Sequence, residues 1–139
     1  MGTIFTQIVE GEIPARIVYE DETTVAFLDA NPLAPGHTLV IPKEEYERLN
    51  DVPDDVATEL YATIHRLVPA VEEAVDADAS TVAFNNGEEA GQEVPHVHCH
   101  IVPRFEGDGG GPIHGIAGEA PDIADDELDD IADEIESRS

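Results

Sequence analysis

The run Pro95-His96-Val97-His98-Cys99-His100-Ile101-Val102-Pro103-Arg104 constrains this chain more than any other segment. Histidine recurs at every second position, and Val97, Cys99 and Ile101 fill the places between. A period of two belongs to a β-strand, whose successive side chains point to opposite faces. Residues 96–102 are therefore expected to form a strand with all three imidazoles on one face, about 6.6 Å from one to the next. The opposite face is apolar and fits a core. Any fold built on this strand must cover one face and leave the histidine face for chemistry.

Imidazole serves as nucleophile, acid, base or metal ligand near neutral pH. A strand that is merely polar on one face draws on Thr, Lys and Glu rather than on three histidines. A metal site is the competing reading, because His-x-His on a strand can present two nitrogens to one zinc. A third histidine along the same straight strand fits that geometry poorly. No carboxylate stands four or five positions after His98 or His100, where Val102, Pro103, Arg104 and Phe105 lie. We expect no metal and no cofactor here.

Periodicity lays out the rest. Thr3 can cap a short helix carrying Ile4, Phe5 and Ile8. Residues 16–20 and 24–28 read as strands, and His37 to Ile41 as a buried strand. The spacing of Val56, Leu60, Ile64, Leu67, Val71 and Val75 predicts a helix over 53–77, with a kink at Pro69. Residues 80–85 read as a further strand. Several strands, one long helix and short loops indicate an α+β fold with an antiparallel sheet. Residues 106–120 form a glycine-rich linker. From Pro121 to Ser139 an acidic helical extension is expected, with Ala124, Leu128, Ile131 and Ile135 on a narrow apolar stripe that docks on the core or on a second subunit.

Composition narrows the partners. The 139 residues include 32 acidic and 6 basic ones, a formal net charge of −26. Such a surface is wrong for nucleic acid, which needs a basic face, and for anionic membranes. Lys43 is the only lysine and there is no tryptophan. We read this as adaptation to molar salt and expect a halophilic archaeal source. The single cysteine, Cys99, allows no intramolecular disulfide. Neither a signal peptide nor a membrane span is apparent, so a cytoplasmic location is expected.

Three further blocks accompany the histidines: Ile4-Phe5-x-x-Ile8-Val9-x-Gly11-Glu12-Ile13-Pro14-Ala15, Pro35-Gly36-His37-Thr38-Leu39-Val40-Ile41-Pro42-Lys43, and Asn85 followed by Gly91-Gln92. In this order, over about residues 3–105, the chain resembles the histidine triad (HIT) nucleotide hydrolases and transferases. The resemblance implies a five-stranded antiparallel sheet with one long and one short N-terminal helix, occupying residues 1–105, and a homodimer that extends the sheet. It makes His98 the nucleophile, forming a covalent nucleotidyl-histidine. It places His100 near the phosphate, with His96 flanking and His37 in the supporting network. Asn85 is expected to donate to the phosphate, with Asn86 as second choice, and the turn at Gly91, Gln92 and Glu93 to cradle the anion with its N–H groups. Asp29 is the expected ribose ligand, and Ile4, Phe5, Ile8, Phe27, Leu28 and Ala30 the apolar slot for a purine. Relatives that hold a structural zinc do so with a Cys-x-x-Cys pair; Thr3 and Thr6 stand there in this chain.

The implied activity is hydrolysis of purine nucleoside phosphoramidates or related AMP conjugates. Hydrolysis of dinucleoside polyphosphates, or regulation by nucleotide binding with incidental turnover, are the other readings.

Charge makes the first prediction. The screening length is about 30 Å at 0.01 M salt and about 3 Å at 1 M. The melting temperature should rise steeply with KCl, and on dilution residues 121–139 should lose hydrogen-exchange protection before the sheet. A melting temperature flat from dilute buffer to molar KCl would contradict the salt-adapted reading.

Overall fold

The computed structural model describes residues 2–139. Its strands are β1 (Ile17–Glu20), β2 (Thr24–Leu28), β3 (Thr38–Pro42), β4 (Ala79–Phe84) and β5 (Cys99–Arg104). They form one antiparallel five-stranded sheet in the order β1-β2-β3-β5-β4. The helices are α1 (Ile4–Val9), α2 (Asp54–Ala74) and α3 (Asp125–Arg138). The α+β class read from the sequence is what is observed.

Alternation along the strands creates two cores. Ala26, Val40, Cys99 and Ile101 face α2 and pack on Leu60, Ile64, Leu67 and Val71. Val25, Phe27, Leu39 and Ile41 pack with Phe5 of α1. The long helix and the short helix thus serve different sets of strand residues. Each fully buried Leu or Ile stabilises this arrangement by roughly 1.5–3 kcal/mol. Thr3 caps α1 as expected, its hydroxyl accepting from the Thr6 amide at 3.3 Å. The helix α2 is shorter than its apolar pattern predicts, and it runs through Pro69 without a break.

The histidine strand needs correction. It begins at Cys99, not at His96, so only His100 of the three lies on a regular strand. The β3–β5 ladder pairs Thr38 with Ile101, Leu39 with His100 and Val40 with Cys99. Further along β3 stands Pro42, which has no N–H to give. Its carbonyl instead accepts from the His96 ring at 2.8 Å. On the other side the β4 ladder ends where Phe84 meets Cys99. The segment before Cys99 stays tied by Val97 N–H to the Tyr46 carbonyl at 2.7 Å. The apolar partners expected between the histidines, Val97, Cys99 and Ile101, are all buried.

The turn before β3 sets His37. Gly36 has φ +86°, and a Cβ there would stand 2.9 Å from a Val75 methyl. Glycine is required on both counts.

The chain divides into two compact units, one ending at Asp108 and one spanning Gly109–Ser139. In the second, α3 starts four residues later than expected, with Ala124 at its cap and Asp125, Asp126 and Glu127 in the first turn, where carboxylates suit the helix dipole. Leu128, Ile131 and Ile135 are exposed. Among the described residues no helix is long and apolar enough to cross a membrane.

Candidate active site

Helix α1, the ends of β2 and β3 and the connection into β5 enclose a cleft of about 780 Å³. Its lining includes Ile4, Phe5, Ile8, Phe27, Leu28, Asp29, Ala30, Asn85, Gly91, Glu93, His98 and His100. All six residues expected to form the apolar slot are there together. His37, His96 and Gln92 do not line it. Ile13, Pro14, Ala15, Arg16, Asn31, Pro32, Leu39 and Val94 do, without having been singled out as site residues. Ile13-Pro14-Ala15 belong to the block of residues 4–15 that accompanies the histidines, which is the signal that could have marked them.

Hydrogen bonds fix the state of each ring. His98 Nδ1 lies 2.8 Å from the His96 carbonyl oxygen, which can only accept. Nδ1 therefore carries the proton, and the lone pair of Nε2 is left for chemistry. Phe5 meets the His98 ring edge-on at 5.0 Å between centroids, and so restricts its rotation.

His100 has the opposite tautomer. Leu33 N–H donates to His37 Nδ1 at 3.1 Å, so the His37 proton is on Nε2. That Nε2–H points to His100 Nδ1 at 2.9 Å. His100 must then hold its own proton on Nε2. This buried atom has no partner among the described residues. An unpartnered buried donor costs roughly 1–3 kcal/mol, so its presence in a cleft marks a place for an acceptor. The rings of His98 and His100 are 4.9 Å apart. A lone pair and an N–H thus face one space.

His96 is a support. It is fully buried, and its Nε2–H donates to the Pro42 carbonyl at 2.8 Å. Its own carbonyl orients His98. Thr3 and Thr6 hydroxyls stand 3.5 Å from its Nδ1. Thr6 donates to Glu45 at 2.6 Å, so the positions of a Cys-x-x-Cys pair hold a hydrogen-bonded clasp.

Burial keeps the histidines neutral. It pushes His98, His96 and His37 below the ordinary imidazole value. Burial lowers His100 further, to about 4, helped by the neighbouring His98 and His37 rings and opposed by Asp29. Burial drives the Cys99 thiol up to about 12, which removes it as a nucleophile.

Asp29 Oδ1 accepts from the Asn31 amide at 2.8 Å, and Oδ2 stands 3.6 Å from His37 Nε2. Asp29, His37 and His100 each offer one ligand atom within 4.8 Å of the others. An ion among them would displace the proton that joins His37 to His100, and with it the His100 tautomer.

The anion cradle differs from expectation. The Gly91 and Gln92 amides close the loop on the Glu88 and Gly87 carbonyls, at 2.9 and 3.1 Å. The Gln92 side chain braces the same loop. It accepts from Gly87 N–H at 2.8 Å and donates to the Glu47 and Val94 carbonyls at 2.6 and 2.9 Å. Only the Glu93 amide of that turn has no partner among the described residues. Asn86 is tied to Leu49 N–H and Asn50, which leaves Asn85 as the amide on the cleft.

A model of the HIT domain matches residues 10–107. The chain belongs to the HIT family. A HIT-like protein of Methanocaldococcus jannaschii is 50% identical over 106 residues, 76% of this chain and 81% of that one. An adenylylsulfatase of Arabidopsis thaliana is 38% identical over 105 residues; the match covers 76% of this chain and 53% of that longer protein. The crystal structure of a HIT family member from Bacillus subtilis superimposes with a TM-score of 0.86 at 32% identity, covering 100% of this chain and 98% of that one.

The neutral tautomers set the pH dependence. A proton on His98 Nε2 removes the lone pair, so activity must fall as pH drops through the His98 value. Because burial holds that value below 6.5, the acid limb of kcat/KM should be centred below pH 6.5. An acid limb centred at or above 6.5 would contradict the assignment.

Proposed function

We propose that this HIT protein hydrolyses AMP conjugates, purine nucleoside phosphoramidates foremost, through a covalent nucleotidyl-His98. The observation that carries the reading is the pair of opposed tautomers in one cleft, with the His98 lone pair beside the His100 N–H.

The purine enters the slot of Ile4, Phe5, Ile8, Phe27, Leu28 and Ala30, and its ribose hydroxyls donate to Asp29. His98 Nε2 then attacks the α-phosphorus. A P–N bond forms, and the bond to the leaving group breaks with its electron pair. His100 Nε2–H, the Asn85 amide and the Glu93 N–H hold the phosphoryl oxygens as charge builds on them. Water attacks the nucleotidyl-histidine in a second in-line step, releasing AMP and restoring the ring. His37 and His96 touch no substrate. They hold the tautomers that the two steps need.

The dimer expected from the family resemblance would use β4. It is an outer strand of the sheet, with Val82 43% exposed and Tyr61, 48% exposed, beside Phe84. We propose a cytoplasmic location; among the described residues no helix is long and apolar enough to cross a membrane.

His98→Asn should lower turnover of an adenosine phosphoramidate by more than about 10⁴-fold. AMP should still bind, because the slot and Asp29 are intact. Mass spectrometry of the wild type, quenched without acid, should show a nucleotidyl adduct that the variant lacks. Near-wild-type turnover in the variant would overturn the nucleophile assignment. Sedimentation of the wild type should read a dimer, and a monomer would exclude the β4 pairing.

A further inference from the structure

We propose that Glu93 selects the leaving group, favouring substrates whose α-phosphate carries an amine over those whose leaving group is an anion. This rests on the reading of the cleft as a nucleotide site and names the chemistry of its other half.

Glu93 lines the cleft with His98, Asn85 and Gly91. Its carboxylate is exposed and has no hydrogen bond or ion pair among the described residues. It reaches the nucleophile electrostatically: together with Asp29 it opposes the lowering of the His98 ring by burial. Among the described residues no Lys or Arg side chain pairs with it. Arg16 is the one Arg or Lys in the described lining, and it belongs to the purine side, where Leu28 N–H donates to its carbonyl at 3.0 Å. Lys43, Arg104 and Arg138 are paired with Glu20, Asp108 and Glu134. Arg66 donates to the Tyr19 hydroxyl. Arg48 lies against Gly87 and does not line the cleft.

The phosphate itself is met by neutral donors, so the base, ribose and phosphate parts of the site tolerate an acidic protein. Asp29 meets only uncharged ribose hydroxyls, whereas an ionic leaving group meets the Glu93 carboxylate charge to charge. Sulfate or a nucleoside polyphosphate brings further negative charge to a carboxylate with no counter-ion. An amine brings the reverse. The nitrogen of a phosphoramidate must gain a proton before the P–N bond breaks, and that proton comes from solvent. The cationic nitrogen donates to the Glu93 carboxylate. His98 attacks, and the P–N electron pair leaves with nitrogen as a neutral amine. In the second step one proton of the attacking water is released, which balances the first. Two unit charges near 4 Å interact strongly enough to change a rate by at least about fivefold.

The experiment compares kcat/KM of the full chain for three substrates: an adenosine 5′-(N-alkyl)phosphoramidate, adenosine 5′-phosphosulfate and a diadenosine polyphosphate. Wild type, Glu93→Gln and Glu93→Ser are assayed side by side, with AMP affinity and circular dichroism confirming the fold of each. The wild type should prefer the phosphoramidate. In both variants the ratio of phosphoramidate to phosphosulfate should fall at least fivefold, with the anionic substrates gaining and the amine substrate losing. A ratio unchanged within experimental error, or a wild type that prefers an anionic leaving group, would overturn the role of Glu93. If the wild type turns over none of the three and forms no nucleotidyl-His98, the hydrolase reading fails, and this proposal with it.

Discussion

The site depends on one hydrogen bond, from His98 Nδ1–H to the carbonyl of His96 two residues earlier. A neutral imidazole has one lone pair, and this bond decides which nitrogen keeps it. A carbonyl cannot donate, so the choice is not reversible without breaking the contact. The bond exists because the chain leaves the sheet before Cys99. In a continuous ladder the carbonyls of this segment would face neighbouring strands rather than a ring of their own segment. Pro42 ends the ladder by lacking an N–H, and its carbonyl then anchors the His96 ring.

A second chain of bonds sets His100 the other way. It begins at a backbone amide, Leu33 N–H, and passes through both nitrogens of His37 to His100. The turn that presents Leu33 and His37 relies on glycine at position 36. Phe5 closes the arrangement from α1, meeting His96, His98 and Phe27 edge-on. Desolvation then holds the rings neutral, so a free lone pair and an N–H donor coexist at the same pH. Beside His98 the fold sets neutral donors, the His100 ring and the Asn85 amide, rather than Lys or Arg side chains, in a chain carrying −26.

The sequence was informative where periodicity carries meaning. The alternation around His98 placed Val97, Cys99 and Ile101 in the interior, but of the three imidazoles only His98 and His100 reach the cleft. The stripe of Leu60, Ile64, Leu67 and Val71 located the long helix. Ile4, Phe5 and Ile8 could be named because they fall in a block shared with a known family. What stayed hidden depends on contacts between distant parts of the chain. His96 and Pro42 are 54 positions apart, and His37 and His100 are 63 apart. No local pattern announces that Gln92 turns its side chain onto Glu47 and Val94, or that the Gly91 and Gln92 amides close a loop rather than cradle an anion. Arg16 reads as an ordinary surface residue until the sheet brings it to the cleft.

Long-range ¹H–¹⁵N correlation of the imidazole nitrogens at neutral pH, in molar KCl, tests the account most directly. It should show His98 as the Nδ1–H tautomer and His37, His96 and His100 as Nε2–H tautomers, all four rings neutral. A His98 ring protonated on Nε2, or charged at neutral pH, would contradict the assignment of its nucleophile.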